Sequence, residues 1–261
     1  MPKYIKKNCP ELEHLFPAIV KTLTNKKSLI IGEGHYHPYA RSVLMDLIEA
    51  KRVKKLFLEL PDDEMTMYGY KQGGKLQDFL QKNIGTKLWE NKEWQIIKNG
   101  LKKNFKKNKY IQMWTVMEAA TYHGAAVYIY DIFGRIPKPT SKDNMAFRNE
   151  GMAMVYNKAS AGDGIVLLVG DNHNNERCNK GGKTLAKATK LKGDNVISPR
   201  FAPKLQNVIQ DLVKNPVHAS PSPKTLKTVV DFSNVVDMDK MFGKGNLFFN
   251  YNVDTNSFVK Q

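Results

Sequence analysis

The stretch "LIIGEGHYHPYA", Leu29 to Ala40, runs an apolar segment into a Gly-Glu-Gly turn and then places His35 and His37 just ahead of Pro38. A second Gly-x-x-His, Gly170 to His173, follows the apolar run "GIVLLVG". Between them in the chain, Glu59 interrupts "LFLELP" and Asp131 closes "YIYD". A carboxylate between Leu58 and Leu60 must be paired, metal-bound or protonated, because an isolated buried charge is too costly to keep. Two histidines and a carboxylate can do general acid–base work on water. They are also the ligand set of a catalytic zinc or, with open positions, of manganese or iron. His35, entering a helix, would feel the positive end of its dipole, which favours the neutral imidazole that takes a proton or binds a metal.

Such residues act together only if the elements carrying them converge. Leu12, Leu15, Phe16, Ile19, Val20 and Leu23 recur at helical spacing, and "SLIIG" then reads as a short buried strand. "PYARSVLMDLIEAKR" follows as a helix with Pro38 in its first turn, and "KKLFLELP" as a second strand, which together make a βαβ unit. Residues 75 to 123 read as helical, "AAVYIYD" as strand, "DNMAFRNEGMAMVY" as helix and "GIVLLVG" as strand. The expected fold is therefore α/β, a mostly parallel sheet with helices on both faces. In such sheets the carboxyl ends of the strands line the ligand crevice. His35, Glu59, Asp131 and His173 all stand at or just past strand ends, with Glu33 in the first turn as a further candidate.

The 261 residues are expected to form one domain, with the helical insertion at about 75–123 and a C-terminal extension at about 203–261. In that extension "KLQNVIQDLVK" reads as helix, "NPVHASPSPK" as a linker or exposed loop, and "KTVVDFS" and "NLFFNYNV" as a C-terminal strand pair, for which the sheet edge is one place. No apolar run reaches the length of a membrane span, and Glu11, Glu13 and His14 interrupt what a signal peptide would need. These features point to a soluble protein, cytoplasmic or exported by a dedicated secretion system that reads another signal. The two cysteines, Cys9 and Cys178, form no Cys-x-x-Cys pair and are expected to be reduced thiols. "NKGGKT" lacks the first glycine of a phosphate-binding loop, where Arg177 stands, and nothing marks Cys178 as an activated nucleophile.

In "LIIGEGHYHP", "LFLELP", "DNMAFRNEGMAM" and "VLLVGDNH", in this order, the chain resembles the superfamily that joins erythromycin esterases, ChaN-like haem-binding lipoproteins and TIKI/TraB proteins. The resemblance spans residues of about 28 to 173. It implies hydrolysis of an ester or peptide bond, with His35 as general base or metal ligand, Glu59 orienting it or accepting a proton, and His173 binding metal or stabilising the oxyanion. It adds Arg148 as an anchor for substrate or for Glu59, and Asn149 beside it; Asp131, Asn149 and Glu33 would face substrate. A divalent metal held by His35, His173 and Glu59 belongs to the TIKI-like branch, and haem to the ChaN-like branch. Related domains occur in bacterial toxins, so a toxin or effector module that binds a ligand without turnover is the alternative.

Each residue also has a plain structural explanation. His35 and His37 fit a helix start, Asp131 can cap a turn, and Glu59 and Arg148 can form a bidentate pair. The formal charge of +16 would draw phosphates, anionic lipid or acidic proteins. Lys98 to Lys109 holds six lysines and no acid, beside an apolar stripe of Trp94, Ile97, Leu101 and Phe105. That pattern is the solvated side of a packed helix, a surface for an anionic membrane, acidic partner or nucleic acid, or a lid over the crevice.

Overall fold

The computed structural model describes residues 2–34, 38–61, 75–104, 110–131, 142–174, 183–191, 196–197, 249–252 and 257–260. His35, His37, Cys178, "KLQNVIQDLVK" and "KTVVDFS" lie outside them. The described chain runs α1 (Lys3–Asn8), a 3-10 turn (Pro10–Leu15), α2 (Phe16–Lys26), β1 (Ser28–Glu33), α3 (Tyr39–Glu49) and β2 (Lys55–Pro61). The insertion supplies α4 (Lys75–Lys82), a 3-10 turn (Leu88–Glu90), α5 (Lys92–Asn104) and α6 (Met113–Tyr122). Then come β3 (Ala126–Asp131), α7 (Lys142–Ala159), β4 (Ile165–Gly170), a 3-10 turn (Asp171–Asn174), α8 (Leu185–Ala188), β5 (Val196–Ile197), β6 (Phe249–Asn252) and β7 (Ser257–Lys260).

The fold is α/β: β1 to β5 form one sheet in the order β3-β2-β4-β1-β5, and every pairing is parallel. Strands β1 and β4 are buried at every position, as expected for strands covered on both faces. Alternation then assigns each side chain to a layer. Leu29, Ile31, Leu56, Leu58, Leu60, Val127, Ile129, Val166 and Leu168 pack with the N-terminal helices and the insertion. Ile30, Phe57, Tyr130, Ile165, Leu167 and Val169 pack on the other face with Met152 and Tyr156 of α7 and Leu185 of α8. Phe57 stacks on Tyr128 with ring centroids 4.6 Å apart and meets Tyr130 and Tyr156 edge-on.

A C-terminal strand pair is present: "NLFFNYNV" supplies β6, which pairs antiparallel with β7, and the place at the edge of the main sheet is corrected, because the two form a separate sheet. The short strand that does sit at that edge, β5, and the hairpin partner β7 are too short to show an apolar period. Among the described residues, no helix is long and apolar enough to cross a membrane.

Buried polar contacts fix how the helices sit. Asp46 of α3 accepts the backbone N–H groups of Lys3, Tyr4 and Ile5 at 2.7–2.9 Å, satisfying from a distant element the donors that open α1. Glu33 pairs with Arg41 of α3 through two hydrogen bonds of 2.7 and 2.9 Å, and Arg41 donates a further one to the Ile111 carbonyl, 2.8 Å away, ahead of α6. In the insertion, Glu118 accepts both Trp94 Nε1 at 2.7 Å and Lys98 Nζ at 2.6 Å. Lys98, the first of the clustered lysines, is thus committed to a half-buried pair.

The strand order also settles where the chain diverges. From β2 the chain leaves through the insertion on the first face to β3 at one edge, whereas from β4 it leaves through α8 on the second face to β5 at the other. Strands β2 and β4 are neighbours, so their carboxyl ends mark the place where an open parallel sheet has its ligand crevice.

The Asp46 contacts carry a measurable consequence. Asp46→Ala leaves three backbone donors without their acceptor, and is expected to cost about 2–4 kcal/mol in chemical denaturation. A loss below about 0.5 kcal/mol would show that water replaces the carboxylate and that α1 is not held by it.

Candidate functional site

Glu59 reaches the crevice through a local irregularity in its strand. Leu58 is level with Ile129 and Pro61 with Asp131, so two residues of β2, Glu59 and Leu60, stand opposite Tyr130 alone. A bulge of this kind re-aims a side chain at the end of a sheet. It brings the Glu59 carboxylate across to β4, where the Gly170 N–H donates to Oε2. Oε1 accepts Arg148 Nη2 at 2.8 Å and His173 Nε2 at 2.9 Å.

Each partner is held in turn by another element. Arg148 lies on the buried stripe of α7 with Asn149, Met152, Ala153 and Tyr156. It donates to Asp131 at the end of β3 through Nε (3.2 Å) and Nη2 (2.7 Å), and so bridges two carboxylates from neighbouring strands. His173 sits in the 3-10 turn after β4, with only 2% of its surface exposed. Its Nδ1 lies 2.6 Å from Asn149 Oδ1. Asn149 Nδ2 donates to the carbonyls of His173 (3.1 Å) and Lys183 (2.9 Å), which fixes the amide with its oxygen toward the ring. Both ring nitrogens of His173 therefore face side-chain oxygens, of Asn149 on one side and Glu59 on the other.

The site sets the carboxyl groups of Glu59 and Asp131 against Arg148 and His173, and the shifts of the two acids follow from that. Burial works to raise the Glu59 pKa, but His173, Arg148 and the Gly170 N–H outweigh it, so the carboxyl titrates well below the ordinary range. Asp131 goes the other way: burial raises its pKa despite the hydrogen bonds from Arg148, and the Glu59 charge adds to the rise. Burial, with the charges of Glu59 and Asp131, also raises the Tyr130 hydroxyl well above its usual value. Tyr130 stays a neutral donor, and its hydroxyl has no hydrogen-bond partner among the described residues.

The structure thus brings together Glu59, Asp131, Arg148, Asn149 and His173. Glu33 does not join them, because its side chain turns to Arg41. His35 lies outside the described residues, but β1 runs beside β4, with Glu33 level with Gly170, whose N–H holds Glu59. Asn149, expected at substrate, is fully buried and spends its amide on His173 and Lys183. Sequence reasoning missed Arg41 and the Gly170 N–H. An arginine within the apolar helix "PYARSVLMDLIEA" was a usable signal for the first, whereas a backbone donor leaves none.

Among the described residues, no three His, Cys, Asp or Glu side chains are placed to hold a metal ion. Glu59, Asp131 and His173 are already matched to protein partners, with Arg148 between the carboxylates, and do not fit a divalent cation as they stand. His173 likewise has no free nitrogen for an axial haem bond. No protein-family model matches the chain, and no curated protein or solved structure matches it.

Glu59→Gln tests the electrostatics. A carboxyl whose folded pKa is depressed stabilises the fold above its unfolded pKa, near 4.3, and that contribution is lost as pH falls towards the folded value. The variant is expected to be about 3–5 kcal/mol less stable at pH 7, with the gap closing steadily below about pH 5 in denaturation series. A gap that stays constant from pH 7 to pH 3 would show that Glu59 is not held ionised.

Proposed function

We propose that the chain is a hydrolase in which Glu59 orients and electrostatically supports His35 as the general base that activates water against an ester or peptide bond. One observation supports this most: among the described residues Glu59 Oε2 accepts a single hydrogen bond, from Gly170, and its side chain keeps 14% of its surface exposed. A carboxylate oxygen offers about two acceptor positions, so one is left at the crevice for an imidazole or a water. Its depressed pKa makes Glu59 a poor proton acceptor and a good permanent charge, which suits the orienting role. His173, Arg148 and Asn149 then serve as positioning residues that hold Glu59 from behind. The chain leaves β1 level with Gly170, and His35 follows two residues after Glu33, a span of at most about 7 Å of extended chain.

A second reading, a ligand-binding or effector module without turnover, is favoured by the mutual satisfaction of His173, Arg148, Asp131 and Asn149, which needs no chemistry to explain it. In that case a bound chromophore such as haem would show a Soret band in the purified protein.

His35→Ala and Glu59→Gln, assayed with p-nitrophenyl esters and a fluorogenic peptide library, decide between them. His35→Ala is expected to lose about 10²–10⁴-fold in kcat/KM while melting within a few degrees of wild type. A His35→Ala protein that melts far lower yet keeps turnover would make the histidine structural. Wild-type protein with no turnover on either substrate class, but with a ligand that co-purifies, would favour the binding module.

A further inference from the structure

Three large side chains stand exposed together at one corner of the insertion: Ile84 at 39%, Trp89 at 42% and Tyr122 at 43%. The Trp89 and Tyr122 ring centroids are 5.2 Å apart. The Gly85 N–H donates to the Thr121 carbonyl at 2.7 Å, which sets Ile84 and Tyr122 on adjacent backbones. The corner is rigidly built. Leu88 is fully buried next to Trp89, Gln95 Nε2 donates to the Trp89 carbonyl at 2.7 Å, and Asn91 Oδ1 accepts the Trp94 N–H at 3.1 Å, opening α5. Along the chain the exposed lysines Lys82, Lys87 and Lys92 stand on either side of Trp89, with the exposed acids Glu90, held by Lys87 at 3.2 Å, and Glu93 among them.

We propose that this corner docks the chain onto an anionic lipid bilayer, with Trp89 and Tyr122 at headgroup level and the flanking lysines against the lipid phosphates. Tryptophan and tyrosine favour the water–bilayer interface, and lysine stems lie along apolar surface while their ammonium groups reach the headgroups. The +16 chain is drawn to a negative leaflet. Three side chains fall far short of the roughly 800 Å² per partner that a stable protein interface buries, whereas a bilayer sets no such threshold. The corner precedes Ala126, which opens β3, and Asp131 closes that strand. Six residues of strand separate them by about 20 Å, so a docked chain keeps the Glu59 crevice turned toward water.

The test uses the full chain with vesicles of phosphatidylcholine alone or with 30% phosphatidylglycerol, at about 50 and 500 mM NaCl. Wild type is expected to co-float with the anionic vesicles at low salt only, and brominated lipid should quench Trp89, since Trp94 is buried and Trp114 half-buried. Trp89→Ala/Tyr122→Ala should weaken partitioning at least tenfold with unchanged circular dichroism. Lys158→Glu/Lys190→Glu, which changes charge as much as Lys87→Glu/Lys92→Glu does but lies elsewhere, should matter less than that pair. The proposal is overturned if wild type fails to bind anionic vesicles at low salt, or if Trp89→Ala/Tyr122→Ala binds as well as wild type. It is equally overturned if wild type forms a dimer that this double variant abolishes, for then the corner joins two copies of the chain.

Discussion

The rest of the site depends on keeping one carboxylate ionised where β2 and β4 part. Taking Glu59 out of water costs several kcal/mol, and that cost is offset only by donors already in place. Arg148 comes from α7, His173 from the turn after β4, and the Gly170 N–H from the strand end itself. Each of these needs its own anchor: Asp131 on β3 holds Arg148, and Asn149 on α7 holds His173 while reaching the Lys183 carbonyl ahead of α8. One charge therefore ties β2, β3, β4, α7 and the approach to α8 into a single hydrogen-bonded unit. Apolar side chains of similar volume would often hold such a corner at least as firmly. A fold that keeps two acids, an arginine and a histidine there is retaining polarity that stability alone does not require.

The same network limits what each group can do. His173 gives both nitrogens to the protein, Asn149 gives its whole amide, and Arg148 is divided between two carboxylates. Among the described residues acceptor capacity is left at Glu59 Oε2, and the interior groups set the orientation of that oxygen. Glu33 illustrates the opposite choice. It belongs to the same turn as the first Gly-x-x-His, yet alternation along β1 sends its side chain to the face carrying α3, where Arg41 neutralises it and joins β1 to the segment before α6. Two acids at the ends of β1 and β2, the strands on either side of β4, thus serve different layers, one the strand-end network and one the packing of the sheet.

The insertion adds a separation between the two ends of the molecule. Its helices bury Leu80, Trp94, Ile97, Leu101 and Met117 against the sheet, and Glu118 draws Lys98 inward beneath them. That leaves Trp89 and Tyr122 outward at the amino end of β3, while the charged crevice lies at its carboxyl end. Lys98 therefore leaves the solvated face that its stretch suggests in sequence.

Much of this was legible before any coordinates. Near-continuous apolar runs alternating with helical periods determined an α/β sheet buried on both faces, since only parallel strands covered by helices bury every position. A carboxylate between Leu58 and Leu60 demanded a partner, and the run "RNEGMAM" offered one. The order β3-β2-β4-β1-β5 could not be read, because the local pattern of a strand does not say which strand it pairs with, and convergence of the strand ends depends on that order. Nor could the sequence tell that Glu33 faces Arg41, that Asn149 serves His173, or that the C-terminal strand pair stands apart from the main sheet. Those choices rest on contacts between residues far apart in the chain or on opposite layers, and on backbone donors that every sequence has; only the tertiary structure decides which of them meet.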